Sequence, residues 1–160
     1  MTTYELWLFE SKPQPDIGGT QWTLGLKPVN TDDMMMYNMF GGVRLTDGPY
    51  THKIWPKCRF SPVFQKPVSP FEHYAPLGVL DALAKLGFDE FFHRTEAGPG
   101  QFFVVRFFAK LAQAGILGWD VVREWKGKAR YCDREWEAFL ERYTTVDQAF
   151  LDGFEEIARA

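Results

Sequence analysis

Between Pro70 and Pro76 the spacing of apolar residues changes period, and that switch constrains the fold more than any single motif. Ahead of it lie short extended runs broken by glycine, proline and asparagine. After it lie segments with the apolar spacing of helices, each with a recognisable start and stop. Extended runs followed by helical ones predict an α+β fold: a small, mostly antiparallel N-terminal sheet packed against a C-terminal helical half of about four helices. At 160 residues the expectation is a single domain over 1–160, mainly β over 1–68, a connector over 69–76 and mainly α over 77–160.

Within the first half, Tyr4 to Phe9 is almost continuously apolar and reads as a buried, central strand. Lys12 to Gly19 is a turn region with two prolines and a glycine pair. Trp22, Leu24 and Leu26 alternate with Gln21, Thr23 and Gly25, a period of two that predicts one buried face. Met34 to Phe40 holds four of the five methionines. Methionine suits irregular cores and adaptable binding surfaces alike, and packing in the core or sheet is the preferred reading. Val43 to Leu45 and Tyr50 to Trp55 read as strands around the turn Thr46-Asp47-Gly48-Pro49, and Cys58 to Phe64 as an edge strand in which Pro62 sits poorly.

In the second half, Pro76 fits the first turn of a helix, where its missing N–H is harmless. That helix would carry an apolar stripe of Leu77, Leu80, Leu83, Ala84 and Leu86, with Gly87 as its C-terminal cap and Phe88, Phe91 and Phe92 in a short extension. Gln101 to Ala114 has Phe103, Phe107 and Leu111 on one face and Phe102, Val105 and Phe108 on another, so burial around the axis is expected. Trp119, Val122 and Trp125 mark a further short helix. Asp133 caps one with Trp136, Phe139, Leu140 and Tyr143, and Thr145 to Gln148 forms a capping box for one lined by Phe150, Phe154 and Ile157.

Composition narrows the class. Aromatic residues make up 17% of the chain, which provides a bulky core, an exposed contact patch, or both. The net charge of −3 is segregated: 51–68 and 106–132 each carry +4, whereas 133–160 carries −5. Local patches are therefore expected rather than a globally basic surface. Cys58 and Cys132 lie far apart in no C-x-x-C pattern, which argues for buried free thiols and against a disulfide framework or zinc site. No apolar run reaches the roughly 18 residues of a membrane span. The first ten residues carry acids where a signal peptide needs bases, so a cytoplasmic location is expected.

Of the three histidines, His93 stands in His93-Arg94-Thr95, the H-x-T spacing of two-histidine phosphodiesterases, and His52 could be its partner. In that chemistry one imidazole acts as base, the other as acid, and the hydroxyls hold phosphate. His52-Lys53-Ile54 supplies no hydroxyl, so the match is half a motif. Asp89 and His93, four apart, would share a helix face, most simply as a solvated helix end. No serine sits in G-x-S-x-G, and the glycine pairs form no phosphate loop. No cofactor or metal is expected. In the basic-aromatic segment His52 to Phe64, Lys53, Trp55, Lys57 and Arg59 share one face if the strand stays regular, a pattern suited to phosphates and unpaired bases. Arg123 to Arg130 could widen that patch.

These features favour a non-enzymatic protein that binds another protein or nucleoprotein complex. The expectation is a small bacterial or phage inhibitor or adaptor, of the immunity or anti-defence type such as an anti-CRISPR protein. Its contact residues would be Met34, Met35, Met36, Tyr37, Met39, Lys53, Trp55, Lys57 and Arg59. The alternatives are a single-stranded nucleic-acid binder through 52–64 and a phosphodiesterase using His52, His93 and Thr95.

Overall fold

The computed structural model describes residues 2–12, 20–40, 50–59, 71–98 and 100–129. The turn at Thr46 to Pro49, the strand at Val43 to Leu45, residues 60–64, Cys132 and both helices expected beyond 130 lie outside them. Five strands, β1 (Tyr4–Ser11), β2 (Trp22–Pro28), β3 (Asp33–Phe40), β4 (Thr51–Arg59) and β5 (Phe71–Leu80), form one antiparallel sheet in the order β4-β3-β2-β1-β5. Three helices follow: α1 (Ala82–Arg94), α2 (Gly100–Gln113) and α3 (Trp119–Lys128). The architecture is α+β with an N-terminal sheet, and three helices stand among the described residues where about four were expected for the whole chain.

β1 is central because its apolar run can be buried on both faces. It pairs with β2 on one side and β5 on the other, so that Leu8 lies opposite both Leu24 and Ala75. Alternation then sorts the side chains. Leu6, Leu8, Trp22, Leu24, Leu26, Tyr37 and Met39 join the helices in the main core, while Trp7, Phe9, Met34 and Met36 form a second apolar cluster on the other face. β2 was expected to bury one face and buries both. Gly25 makes this possible: a Cβ there would fall on the sulfur of Met34 and 2.9 Å from Cε2 of Phe9. Lys27 is only 4% exposed. Its ammonium pairs with Glu5 at 3.2 Å and donates to the Thr31 carbonyl at 2.7 Å, which compensates its desolvation.

The connector expected over 69–76, and a helix starting at Pro76, are both corrected by β5. Antiparallel pairing with β1 runs from Phe71 opposite Ser11 to Leu80 opposite Tyr4. The register shifts between Leu6 and Trp7, so Leu77 has no opposite residue and Pro76 lies beside it at the irregularity. An outer strand at a bulge is where proline's missing N–H is tolerated. The helix begins after Asp81, whose Oδ1 accepts from the Ala84 N–H at 2.7 Å as an N-cap. Gly87 lies inside α1 rather than at its end. The helix closes at Thr95, whose hydroxyl donates to the Phe91 carbonyl at 2.7 Å.

α2 is buried from Gln101 through Ala109 and again at Leu111 and Ala112, in line with its apolar character on most sides. α1 and α2 meet the sheet through aromatic rings: Tyr37 is 5.0 Å from Phe88 and 5.1 Å from Phe92, and Phe88 is 4.8 Å from Phe107. The Tyr37 hydroxyl donates to Asp89 of α1 at 2.5 Å, and Lys85 pairs with the same carboxylate at 2.6 Å. Burial, reinforced by Asp89, pushes the Tyr37 hydroxyl well above the usual tyrosine range. α3 reaches β2 through Trp125, edge-on to Trp22 at 5.3 Å. No helix among the described residues is long and apolar enough to cross a membrane.

Two substitutions check this account by denaturant unfolding. Gly25→Ala forces a methyl between Met34 and Phe9 and lowers stability by about 1–3 kcal/mol. Tyr37→Phe removes a buried hydrogen bond to a charged group and lowers it by about 1.5 kcal/mol, with native secondary structure retained.

Candidate interaction surface

The rotation of α1 is set by Phe88 and Phe92, which are fully buried against the sheet and α2. At 3.6 residues per turn, Leu86 lies about 160° and Leu83 about 140° round the axis from Phe88. Both are therefore turned outward, and Leu83 is 79% and Leu86 65% exposed. Val79, at the end of β5, is 64% exposed. The apolar stripe read over Leu77 to Leu86 is thus divided: Leu80 is buried on the strand, whereas Leu83 and Leu86 stand on the surface. An N-cap at Asp81 together with the Phe88/Phe92 pair at i, i+4 is the signal that could have placed them there.

Beside these side chains runs the seam between α1 and the C-terminal end of α2. One hollow of about 450 Å³ is lined by Val79, Leu80, Asp81, Leu83, Ala114 and Ile116 among others. A second, of about 360 Å³, is lined by Phe91, Arg94, Lys110, Gln113 and Ala114. Ala114 belongs to both, so the hollows adjoin. Between them α1 carries Gly87, where an added Cβ would come within 2.7 Å of Cδ1 of Ile116. The seam thus joins a hollow bearing Asp81 to one bearing Arg94 and Lys110. Arg94 bonds Glu90 at 2.7 Å through Nη2, but both are largely exposed and the pair contributes little to stability.

The histidines expected as an acid–base pair are brought together. His52 of β4 and His93 of α1 have ring centroids 6.1 Å apart, and His73 lies on the outer strand at the opposite end of the sheet. The Nε2 of His52 is 2.6 Å from the Thr95 carbonyl. Since a carbonyl only accepts, Nε2 carries the hydrogen and Nδ1 is the acceptor in the neutral ring. The imidazole packs edge-on to Phe92 and Phe103 at 5.2 and 5.6 Å. Burial lowers its pKa; the Thr95 carbonyl acts in the opposite sense, and His93 adds to the lowering. Thr95 itself is buried, with its hydroxyl engaged on Phe91, so the hydroxyl of the H-x-T motif serves as a helix cap. Asp89 is engaged by Tyr37 and Lys85. Among the described residues no group of three or more histidine, cysteine, aspartate or glutamate side chains is placed to hold a metal ion.

The methionine cluster belongs to the sheet. Met34, Met36, Tyr37 and Met39 are buried and Met35 is half-buried, so these five side chains form packing surface rather than an open contact face. On β4, Trp55 is 46% exposed, with the Lys53 ammonium 5.1 Å from its ring centre. The single face expected for Lys53, Trp55, Lys57 and Arg59 is interrupted. Met36 pairs with Trp55 but Met34 with Cys58, so Pro56 and Lys57 both lie opposite Met35. This bulge shifts the alternation. Cys58 follows Trp55 on the Met34/Met36 face, and Lys57 and Arg59 take register positions opposite Met35 and Asp33. In α3, Lys128 lies over Trp125 and pairs with Glu124. The chain matches no family model, no curated protein and no solved structure.

The lowered pKa of His52 has a consequence for stability with a definite sign. In the unfolded chain His52 takes up its proton near pH 6.5, in the fold only at lower pH. Stability from this group is therefore complete above about pH 6.5 and falls as pH drops towards the folded value. His52→Gln keeps a donor for the Thr95 carbonyl but cannot titrate. Denaturation midpoints measured between about pH 7.5 and 5 are expected to fall more steeply for the native chain than for this variant.

Proposed function

We propose that this chain is a non-enzymatic protein-binding molecule whose contact face is built on α1 and the end of β5. One observation carries this reading: Val79, Leu83 and Leu86 are large aliphatic residues left 64–79% exposed, and Val79 and Leu83 line a hollow between β5, α1 and the end of α2. Apolar area forgoes roughly 25 cal/mol for each Å² left in water, and apolar patches bordered by polar groups commonly mark protein contacts. A face of this kind acts by occupying a partner's surface. That mode suits the small bacterial or phage inhibitor or adaptor, of the immunity or anti-defence type, expected from the sequence. The contact residues of this proposal are Val79, Leu83 and Leu86; the buried methionines lie behind the surface.

A second reading keeps Lys53 and Trp55, where a cation rests over a half-exposed indole, as a stacking platform for single-stranded nucleic acid. One experiment separates the two. The chain and its Leu83→Glu/Leu86→Glu variant are mixed with protein and nucleic-acid fractions of a bacterial lysate and followed by size exclusion with light scattering at low and high salt. The protein-binding reading expects a salt-resistant protein complex that the variant weakens about tenfold or more, with thermal stability changed by less than about 0.5 kcal/mol. A salt-sensitive shift with nucleic acid alone, lost in Trp55→Ala, would replace it with the second reading.

A further inference from the structure

We infer that His52 and His93 form a two-imidazole site for a divalent transition-metal ion such as zinc, tying β4 to the end of α1. Their approach is the first observation: the ring centres lie 6.1 Å apart. A zinc–imidazole bond is about 2.0–2.1 Å long and the ring centre lies roughly 1 Å beyond the nitrogen, so two rings on one ion have centres roughly 5–6 Å apart. His93 is exposed and stands one residue before the helix ends at Arg94, so a small turn of its ring covers the difference. Among the described residues the His93 ring meets other rings, those of His52 and Phe92, and its nitrogens carry no hydrogen bond or ion pair.

The second observation is how His52 is held. Its Nε2–H lies against the Thr95 carbonyl at 2.6 Å, which leaves the lone pair on Nδ1. Histidines that bind a metal through one nitrogen almost always give the other N–H to a carbonyl, carboxylate or water; this fixes the tautomer and makes the ligating nitrogen more basic. The carbonyl is itself fixed. Thr95 is buried, and its N–H and hydroxyl both bond to the Phe91 carbonyl, at 2.9 and 2.7 Å. Phe92 and Phe103 brace the His52 ring edge-on. The described residues add no third histidine, cysteine or carboxylate ligand, so water completes the coordination shell, as at an open zinc position. Imidazole nitrogen favours zinc, copper and nickel, whereas magnesium and calcium take oxygen ligands. Folding alone brings β4 and α1 together, so an ion held by both rings binds the native chain in preference to the unfolded one and stabilises it.

The test titrates the full chain with zinc ion at about pH 7.5, where ordinary histidines are neutral, and follows the imidazole proton resonances. His52 and His93 are expected to shift together on one saturation curve. His73, on the outer strand at the opposite end of the sheet, serves as the internal control and should stay put. His93→Gln removes an exposed side chain and leaves the fold intact; it should weaken the His52 response about tenfold or more. Zinc should also raise the denaturation midpoint of the native chain and leave that of His93→Gln unchanged, and magnesium should do neither. Absence of any zinc response overturns the inference. A shift of His93 alone, an equal shift of all three histidines, a His52 response that survives in His93→Gln, or an equal response to magnesium means an adventitious ion only and overturns it too. A zinc-induced rise in midpoint that His93→Gln shares also overturns it, since the ion then sits elsewhere.

Discussion

Edge-to-face packing of aromatic rings decides how the helices sit on the sheet. Phe92 is at its centre, with the rings of Tyr37, His52, Phe103 and Phe107 within 5.1–5.8 Å. Each such pair adds about 0.5–1.5 kcal/mol beyond its buried area, and unlike aliphatic contact it is directional. The direction matters because it fixes the rotation of α1. With Phe88 and Phe92 seated against Tyr37 and Phe107, Leu83 and Leu86 have no route to the core. The exposed face is thus a product of the aromatic core, and the aromatic richness of the chain is in good part accounted for inside the fold.

Periodicity made several elements legible. β1 reads correctly as a buried strand because its apolar run has no polar phase. α2 reads correctly as a helix buried all round because two apolar stripes run along it. The methionine run falls on a buried strand, as its preferred reading had it. The failures have a common cause, which is that one local signal serves two structures. Pro76 is acceptable both at a helix start and at a bulge of an outer strand, and only the pairing of β5 with β1 decides between them. Leu77 to Leu86 has helical spacing, yet the pattern spans the end of a strand and the start of a helix. Alternation in β2 was legible, but Gly25 lets residues from two neighbouring strands close over its second face, and no single-strand pattern encodes that.

The candidate site was legible to a smaller degree. The pairing of His52 with His93 is met in space, although Thr95 is diverted to capping a helix. Lys53 and Trp55 do share a surface, whereas the bulge at Pro56 ends the regular alternation of the strand beyond them. Leu83 and Leu86 read as members of one apolar stripe, and such a stripe on a helix is ordinarily its buried side. Their exposure depends on where the helix begins, and the beginning is set by Asp81 rather than by the proline five residues earlier.

Pro56 bears on how copies of this molecule meet in solution. β4 is an outer strand of the described sheet, and outer strands offer backbone donors and acceptors to which any extended chain can add. A proline within a bulge carries no N–H and twists the strand locally, which makes this edge a poorer template for a regular ladder. The β4 edge is in this way less open to regular strand addition than a straight, proline-free strand would be, and β5 forms the other edge of the described sheet.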